Sequence, residues 1–217
     1  MNLLARPPRQ RLKDIRPQQL LDAALTLFVE KGFAATRSEE VAHLAGVSKG
    51  TLYLYYPSKE ELFKAVVRQN LSKLIGEGIE TVASFEGGTG QLLIALFDTW
   101  WDRVAETQAG GLHKVVLAEV RNFPDLAQFY VDEVVLPAHR LFEGVVQRGI
   151  DRGEFRPVDV SAVSHALMAP MLFLMLHKYS LGACPAVGCE VDPRATLAAH
   201  ADLMLKGLER RENGAWR

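Results

Sequence analysis

Between residues 36 and 59 the chain reads TRSEEVAHLAGVSKGTLYLYYPSK, and its polar groups there are mostly hydroxyls, ammonium and guanidinium. Thr36, Ser38, Ser48, Thr51, Tyr53 and Tyr55 carry hydroxyls, Arg37, Lys49 and Lys59 carry positive charge, and Gly50 carries no side chain. Such groups hydrogen-bond phosphate oxygens and base edges, and a glycine lets a backbone approach a duplex closely. Covalent chemistry has no comparable set. The chain lacks a nucleophile elbow, a P-loop, a dinucleotide fingerprint and a metal-ligand pair, so a helical enzyme is only a distant alternative.

Groups of this kind work only when short, rigid elements hold them. Thr36 can cap a helix, and Glu39 three residues on would complete a capping box. Val41, Leu44 and Ala45 then recur at i, i+3 and i+4, an apolar stripe. Gly46 suits the left-handed residue that ends a helix. Ser48 can cap a second short helix, Lys49–Tyr55, about 10 Å long at about 1.5 Å per residue. Pro57 stops that helix, and Ser58 with Glu61 repeats the capping box for a longer one. Two short helices around a glycine-containing turn predict a helix-turn-helix, whose second helix enters the major groove of DNA. Val41, Val47 and Leu52 read as its core.

Gly32-Phe33, Thr36, Val41-Ala42, the run Ala45 to Tyr53, Tyr55-Tyr56 and Ser58 to Leu62 together resemble the DNA-binding domain of the tetracycline-repressor (TetR) family of bacterial regulators. The resemblance covers roughly residues 15 to 68 without a gap. It implies DNA contacts from the positions of Ser48, Lys49, Gly50, Thr51, Tyr53, Tyr55 and Lys59. Arg37 departs from the pattern, because a small residue is common there; it sits beside the first cap, within reach of backbone or base. The resemblance also implies an all-α fold of about nine helices. A three-helix head would precede a ligand-binding and dimerisation body, whose last two helices pair with those of a second copy.

Composition fits this division. Of 217 residues, 48% are hydrophobic, enough for a sizeable core, and the net charge is −1. Residues 1–60 hold nine Lys+Arg against six Asp+Glu, which leaves 16 against 20 for the remainder. A basic head on an acidic body suits a DNA-contacting end. Residues 1–14, with Pro7-Pro8 and spaced Arg and Lys, read as a flexible basic arm, 15–57 as the DNA-binding domain, and 58–217 as the body. The start lacks the apolar stretch of a signal peptide. The longest apolar run, Ala166 to Leu176 with Pro170 inside, is eleven residues, short of a membrane span. A cytoplasmic protein without a membrane partner is expected.

Besides the two short helices, others are expected at about 17–31 in the head and at about 58–79, 91–106, 112–121, 125–152, 158–181 and 193–211 in the body. Pro137 should kink or split the helix at 125–152. The helix at 158–181 is apolar on nearly every side and should be buried on every side. With the last helix it is the candidate homodimer face. Gly87-Gly88-Thr89-Gly90 lacks the ending of a phosphate loop and reads as a connection. Phe97, Trp100, Trp101, Phe129, Phe142, Met168, Met171 and Met175, with His113, Arg121 and His165 as polar handles, could line a pocket for a hydrophobic or aromatic effector; aromatics and methionines at helical spacing are also ordinary core. No cofactor is implied and no metal site is expected, since no histidine pair has HxxxH spacing. Cys184 and Cys189 share one loop, where an inert pair or a thiol switch are both readings. The expected function is a ligand-responsive repressor. As a homodimer it would bind a palindromic double-stranded DNA operator and be released by a small hydrophobic effector. An activator or an effector-independent DNA-binding protein are the alternatives.

Overall fold

In the computed structural model, residues 9–180 and 191–209 are described, with side chains from Arg16 onward. Among them are nine helical rods and no strand, apart from one isolated antiparallel bridge between Phe155 and Glu209. The rods are α1 (Arg9–Lys31), α2 (Ser38–Leu44), α3 (Lys49–Tyr55), α4 (59–84), α5 (89–105), α6 (Gly111–Glu119), α7 (124–151), α8 (Val160–Tyr179) and α9 (Pro193–Leu208). This is the expected all-α architecture with a helix-turn-helix near the N-terminus.

Two boundaries differ from expectation. Helix α1 starts at Arg9 and runs through Pro17, so residues 9–14 of the expected arm are helical. Residues 1–8 lie outside the described residues, as do Cys184 and Cys189. Helix α7 also continues past its proline. A wide π turn, Val131–Val135, immediately precedes Pro137, which then stands in the first turn of the following α-helical segment, where its missing N–H costs least. Similar π turns lie inside α4 (Arg68–Ser72) and α5 (Trp101–Ala105).

The head is built on three phenylalanines. Phe28, Phe33 and Phe63 are buried, with ring centroids 5.2 to 5.7 Å apart. Phe123, from the turn after α6, stacks edge-on against Phe33 at 4.8 Å and ties the head to the body. Helix α6 grips the same seam twice more. Gly111 lies so close to α1 that a Cβ there would sit 2.5 Å from Val29 Cγ1. Glu119 Oε1 accepts the Ala34 N–H at 3.0 Å. A separate cluster around Leu92, Leu93, Phe97, Phe142, Val145 and Leu167 fills the far body. There the N-terminus of α5 is met by an internal anion: Thr89 N donates to Glu154 Oε2 at 2.5 Å, so Gly87 to Gly90 is a helix start, not a phosphate cradle.

Helix α8 overturns one expectation. By length and composition it could cross a membrane, with mean hydropathy 1.5, yet only 22% of that window is buried. Leu167, Leu174 and Met175 are buried, while Leu172 and Phe173 remain 45% and 47% exposed, and Ala162, Ala166 and Ala169 are also exposed. One chain packs only one side of this helix. Leu203 on α9, 69% exposed, extends the open apolar surface.

Candidate DNA-binding and effector sites

The reading helix is placed by a tightly specified turn. Helix α2 ends in a Schellman motif: Gly46, at φ +67°, donates to His43 O at 3.0 Å, and Val47 donates to Ala42 O at 2.9 Å. Ser48 then caps α3, its Oγ accepting from Thr51 N at 3.1 Å and lying 2.9 Å from Thr51 Oγ1. Gly46 to Gly50 spells G-x-S-x-G, but Ser48 joins two helices with no strand before it, and its hydroxyl is engaged as a cap. Leu52 is fully buried and fixes the roll of α3. That roll turns Lys49, Gly50, Tyr53 and Leu54 outward. Tyr53 is 40% exposed and Leu54 81%. Lys49 pairs with Glu39 on α2 and stands 5.7 Å from the centre of the Tyr53 ring. The pairing holds Glu39 below the usual carboxylate range and raises Lys49. Both side chains are more than half exposed, so the pair is weak and easily traded for a phosphate.

Four expected positions differ in detail. Thr36 is not the cap of α2; it is 1% exposed, and its hydroxyl donates back to Gly32 O at 2.7 Å, with Leu27 O at 3.1 Å. That ties down the end of α1. The cap is Arg37, whose N–H donates to Glu40 Oε2 at 3.1 Å and whose side chain is exposed. Ser38 is 7% exposed, so Thr36 and Ser38 are both largely buried in the head. Lys59 is also drawn inward. Its Nζ donates to the carbonyls of Phe33 (2.8 Å), Thr36 (3.1 Å) and Ala34 (3.2 Å), and lies 4.4 Å from the centre of the Phe33 ring. All three donors are therefore used in closing the loop between α1 and α2. Ser48, Gly50 and Arg37 remain exposed, and Thr51 and Tyr55 are half-buried. The sequence reading missed Leu54 and Leu44, which is 54% exposed, because apolar residues in a helix read as core. Leu54 falls at i+4 from Gly50, on the face opposite Leu52, and that spacing was the available signal.

A second site lies in the body. A cavity of about 340 Å³, open on one side, is lined by α4 (Leu71, Leu74, Ile75), α5 (Trp100, Val104), α6 (His113, Leu117), α7 (Tyr130, Val134) and α8 (His165, Met168, Met171, Leu172). This is within the size range of small-molecule sites. Each of the three π turns contributes to its wall, through Leu71, Val104 and Val134. Such wide turns are common at functional sites. Burial pushes His113 down to about 4, so it is neutral at physiological pH.

Of the residues expected around a pocket, Trp100, His113, His165, Met168 and Met171 stand on this wall. The others do not. Successive helical residues point about 100° apart, so Trp100 faces the cavity with Val104, while Trp101 turns away with Phe97. Trp101 Nε1 donates to Glu106 Oε1 at 2.5 Å, and Phe97 packs on Phe142 in the far core. Met175 is one turn too far along α8, beneath Gly110. Phe129 lies under the cations Arg68 and Lys64, and Arg121 is exposed in the turn after α6. A larger groove, about 490 Å³ between α5 and α9, carries Asp98, Arg194, Asp202 and Lys206.

Comparison with known proteins agrees with this arrangement. Residues 20–66 match the family described as bacterial regulatory proteins, tetR family, and residues 87–180 match the tetracyclin repressor-like C-terminal domain. The HTH-type transcriptional regulator YfiR of Bacillus subtilis is 32% identical over 153 residues, covering 68% of this chain and 71% of that protein. The transcriptional repressor KstR2 of Rhodococcus jostii is 33% identical, covering 68% and 72%. Among solved structures, FadR of Bacillus subtilis in complex with stearoyl-CoA is similar in fold at TM-score 0.68 and 19% identity, covering 88% of this chain and 99% of that one. These relatives are regulators and not enzymes. An outward-turned reading helix on a body with its own apolar cavity, each part matched by a family model, makes this protein a member of the TetR family of bacterial transcriptional regulators.

Proposed function

We propose that the protein is a cytoplasmic repressor that binds a palindromic operator as a homodimer and is released when a small hydrophobic effector enters the body cavity. Residues 15–57 form the reading head and 58–217 the sensing and dimerising body, with the basic N-terminal segment 1–14 following the DNA backbone. On the head, Lys49, Gly50, Thr51, Tyr53 and Leu54 meet the major groove, and Arg37, Ser48 and Tyr55 meet phosphates at its edges. The open apolar face of α8 and α9 receives a second copy. A single reader covers too few base pairs, and two readers related by a twofold axis reach half-sites about 34 Å apart or a multiple of it.

The observation that carries this reading is that the cavity and the head share helices. Leu71, Leu74 and Ile75 on the cavity wall continue the same α4 that buries Phe63, Val66 and Val67 in the head seam. Helix α6 carries His113 and Leu117 on the wall, and Gly111 and Glu119 at the grip on α1. An occupant that fits better when α4 and α6 are displaced lowers operator affinity by its difference in affinity for the two arrangements, and by no more. KstR2, named a repressor, and FadR, solved with stearoyl-CoA, support the analogy. The test is selection of bound fragments from random double-stranded DNA. A twofold-symmetric consensus is expected; an asymmetric site, or no enrichment at low salt, refutes the proposal.

A further inference from the structure

Two histidines that no sequence spacing pairs meet where α7 packs on α8. His139 and His165 are 26 residues apart in the chain, yet His139 Nε2 lies 3.0 Å from His165 Nδ1, and the ring centres are 4.1 Å apart. Both nitrogens also aim at one carbonyl, Ser161 O, which is 2.8 Å from His165 Nδ1 and 3.4 Å from His139 Nε2. A carbonyl only accepts, so the shared proton rests on His165 Nδ1, and His139 Nε2 turns a lone pair toward it. Three atoms with lone pairs thus gather around one proton. One turn along α7, Glu143 Oε1 lies 3.5 Å from His139 Nδ1, the other nitrogen of that ring. A carboxylate behind an imidazole is the arrangement that orients ligating histidines and raises their basicity. His139 is partly exposed, and His165 is exposed on the cavity wall, so solutes reach the pair.

We propose that His139 Nε2 and His165 Nδ1 together hold one divalent late transition-metal ion, with Glu143 supporting His139 from behind. This site does not depend on the effector reading. On binding, the proton of His165 shifts to its Nε2, and the ion takes its place between the rings. At about 2.05 Å per metal–nitrogen bond, two nitrogens 3.0 Å apart subtend roughly 90–95°. That angle suits the square or octahedral arrangements of Cu²⁺ and Ni²⁺ better than the tetrahedron of Zn²⁺, and imidazole is a ligand these ions favour. Among the described residues no group of three histidine, cysteine, aspartate or glutamate side chains is placed to hold an ion, so water fills the remaining positions and Ser161 O accepts from one such water. Mg²⁺, which takes oxygen ligands, is excluded. The bound ion ties α7 to α8 beside the cavity.

The test uses the full chain without an affinity tag, stripped with EDTA, dialysed and titrated with NiCl₂ by calorimetry at neutral pH. One Ni²⁺ per chain should bind, and MgCl₂ should give no heat of binding. His139→Gln and His165→Gln should each abolish the site, and Glu143→Gln should weaken it about tenfold. A chain carrying both Cys184→Ser and Cys189→Ser should keep it. Ni²⁺ at about a hundredfold over its dissociation constant should raise the melting temperature of the wild type by roughly 5–10 °C and leave both histidine variants unmoved. Lowering the pH toward 5.5 should weaken binding, because protons compete for both nitrogens. Absence of Ni²⁺ binding, binding that survives in both histidine variants, or binding that vanishes with the two cysteines overturns the proposal.

Discussion

Lys59 offers a sharp discrimination between a residue that touches DNA and one that holds the reader in shape. Its ammonium meets three backbone carbonyls of the loop between α1 and α2 and lies over the Phe33 ring. Lys59→Met keeps the stem and removes the charge. One hydrogen bond to a charged group contributes about 1.5–3 kcal/mol. Three that share a single half-buried ammonium add far less than threefold, so the loss should be about 2–3 kcal/mol. For a chain of 217 residues, at about 2–4 °C per kcal/mol, the melting temperature should fall by roughly 5–10 °C. The dependence of operator binding on salt should keep its slope, because no phosphate loses a partner. A direct phosphate contact would instead make that slope shallower by about 1 per half-site. Thermal denaturation and fluorescence-anisotropy titrations across a salt series read both quantities. An unchanged melting temperature together with a shallower slope would mean that Lys59 swings out to the DNA, and the structural reading would be wrong.

Gly111→Ala should destabilise by about 1–3 kcal/mol despite alanine's better helix propensity, because Val29 is stiff and its Cγ1 would lie 2.5 Å from the new Cβ; Val29→Ala should restore most of the loss in a double-mutant melt. Leu54→Ala, at an 81% exposed position, should change stability by less than about 0.5 kcal/mol yet alter base preference where Leu54 meets a thymine methyl; an unaltered selected consensus would put it outside the interface. Leu172→Glu with Phe173→Glu should give a monomer in sedimentation velocity and abolish tight operator binding, and a persisting dimer would move the interface elsewhere. His113 should make the protein sensitive to acid. Its folded-state value is lowered from 6.5 to about 4, so below 6.5 the unfolded chain takes a proton that the folded one refuses. Stability falls as pH drops through that window, by about 2 kcal/mol at pH 5 at about 1.4 kcal/mol per unit, and is unaffected above it. Urea denaturation of wild type and His113→Gln at pH 7.5 and 5 should show the smaller loss in the variant; parallel losses would refute a neutral buried imidazole.

The head could be read from the sequence because its signals are local. Gly46 stands where a left-handed residue must end α2, Ser48 and Ser58 cap the helices they precede, and Leu52 marks the inner face of α3. Each depends on neighbours within one or two turns, so spacing alone reports it. The same locality misled the reading of Thr36 and Lys59. Their types suit caps and phosphates, but their partners, Gly32 O and the carbonyls from Phe33 to Thr36, are brought near only when α1, α2 and α4 pack together. In the body, periodicity identified helices without fixing their roll about their axes. Trp100 and Trp101 are adjacent in the chain, and only packing sends the first to the cavity wall and the second to Glu106. Sequence determined that α8 is apolar on nearly every side. Tertiary structure decided that one chain covers only part of it, because burial is a property of the surfaces that assemble around a helix and not of the helix itself.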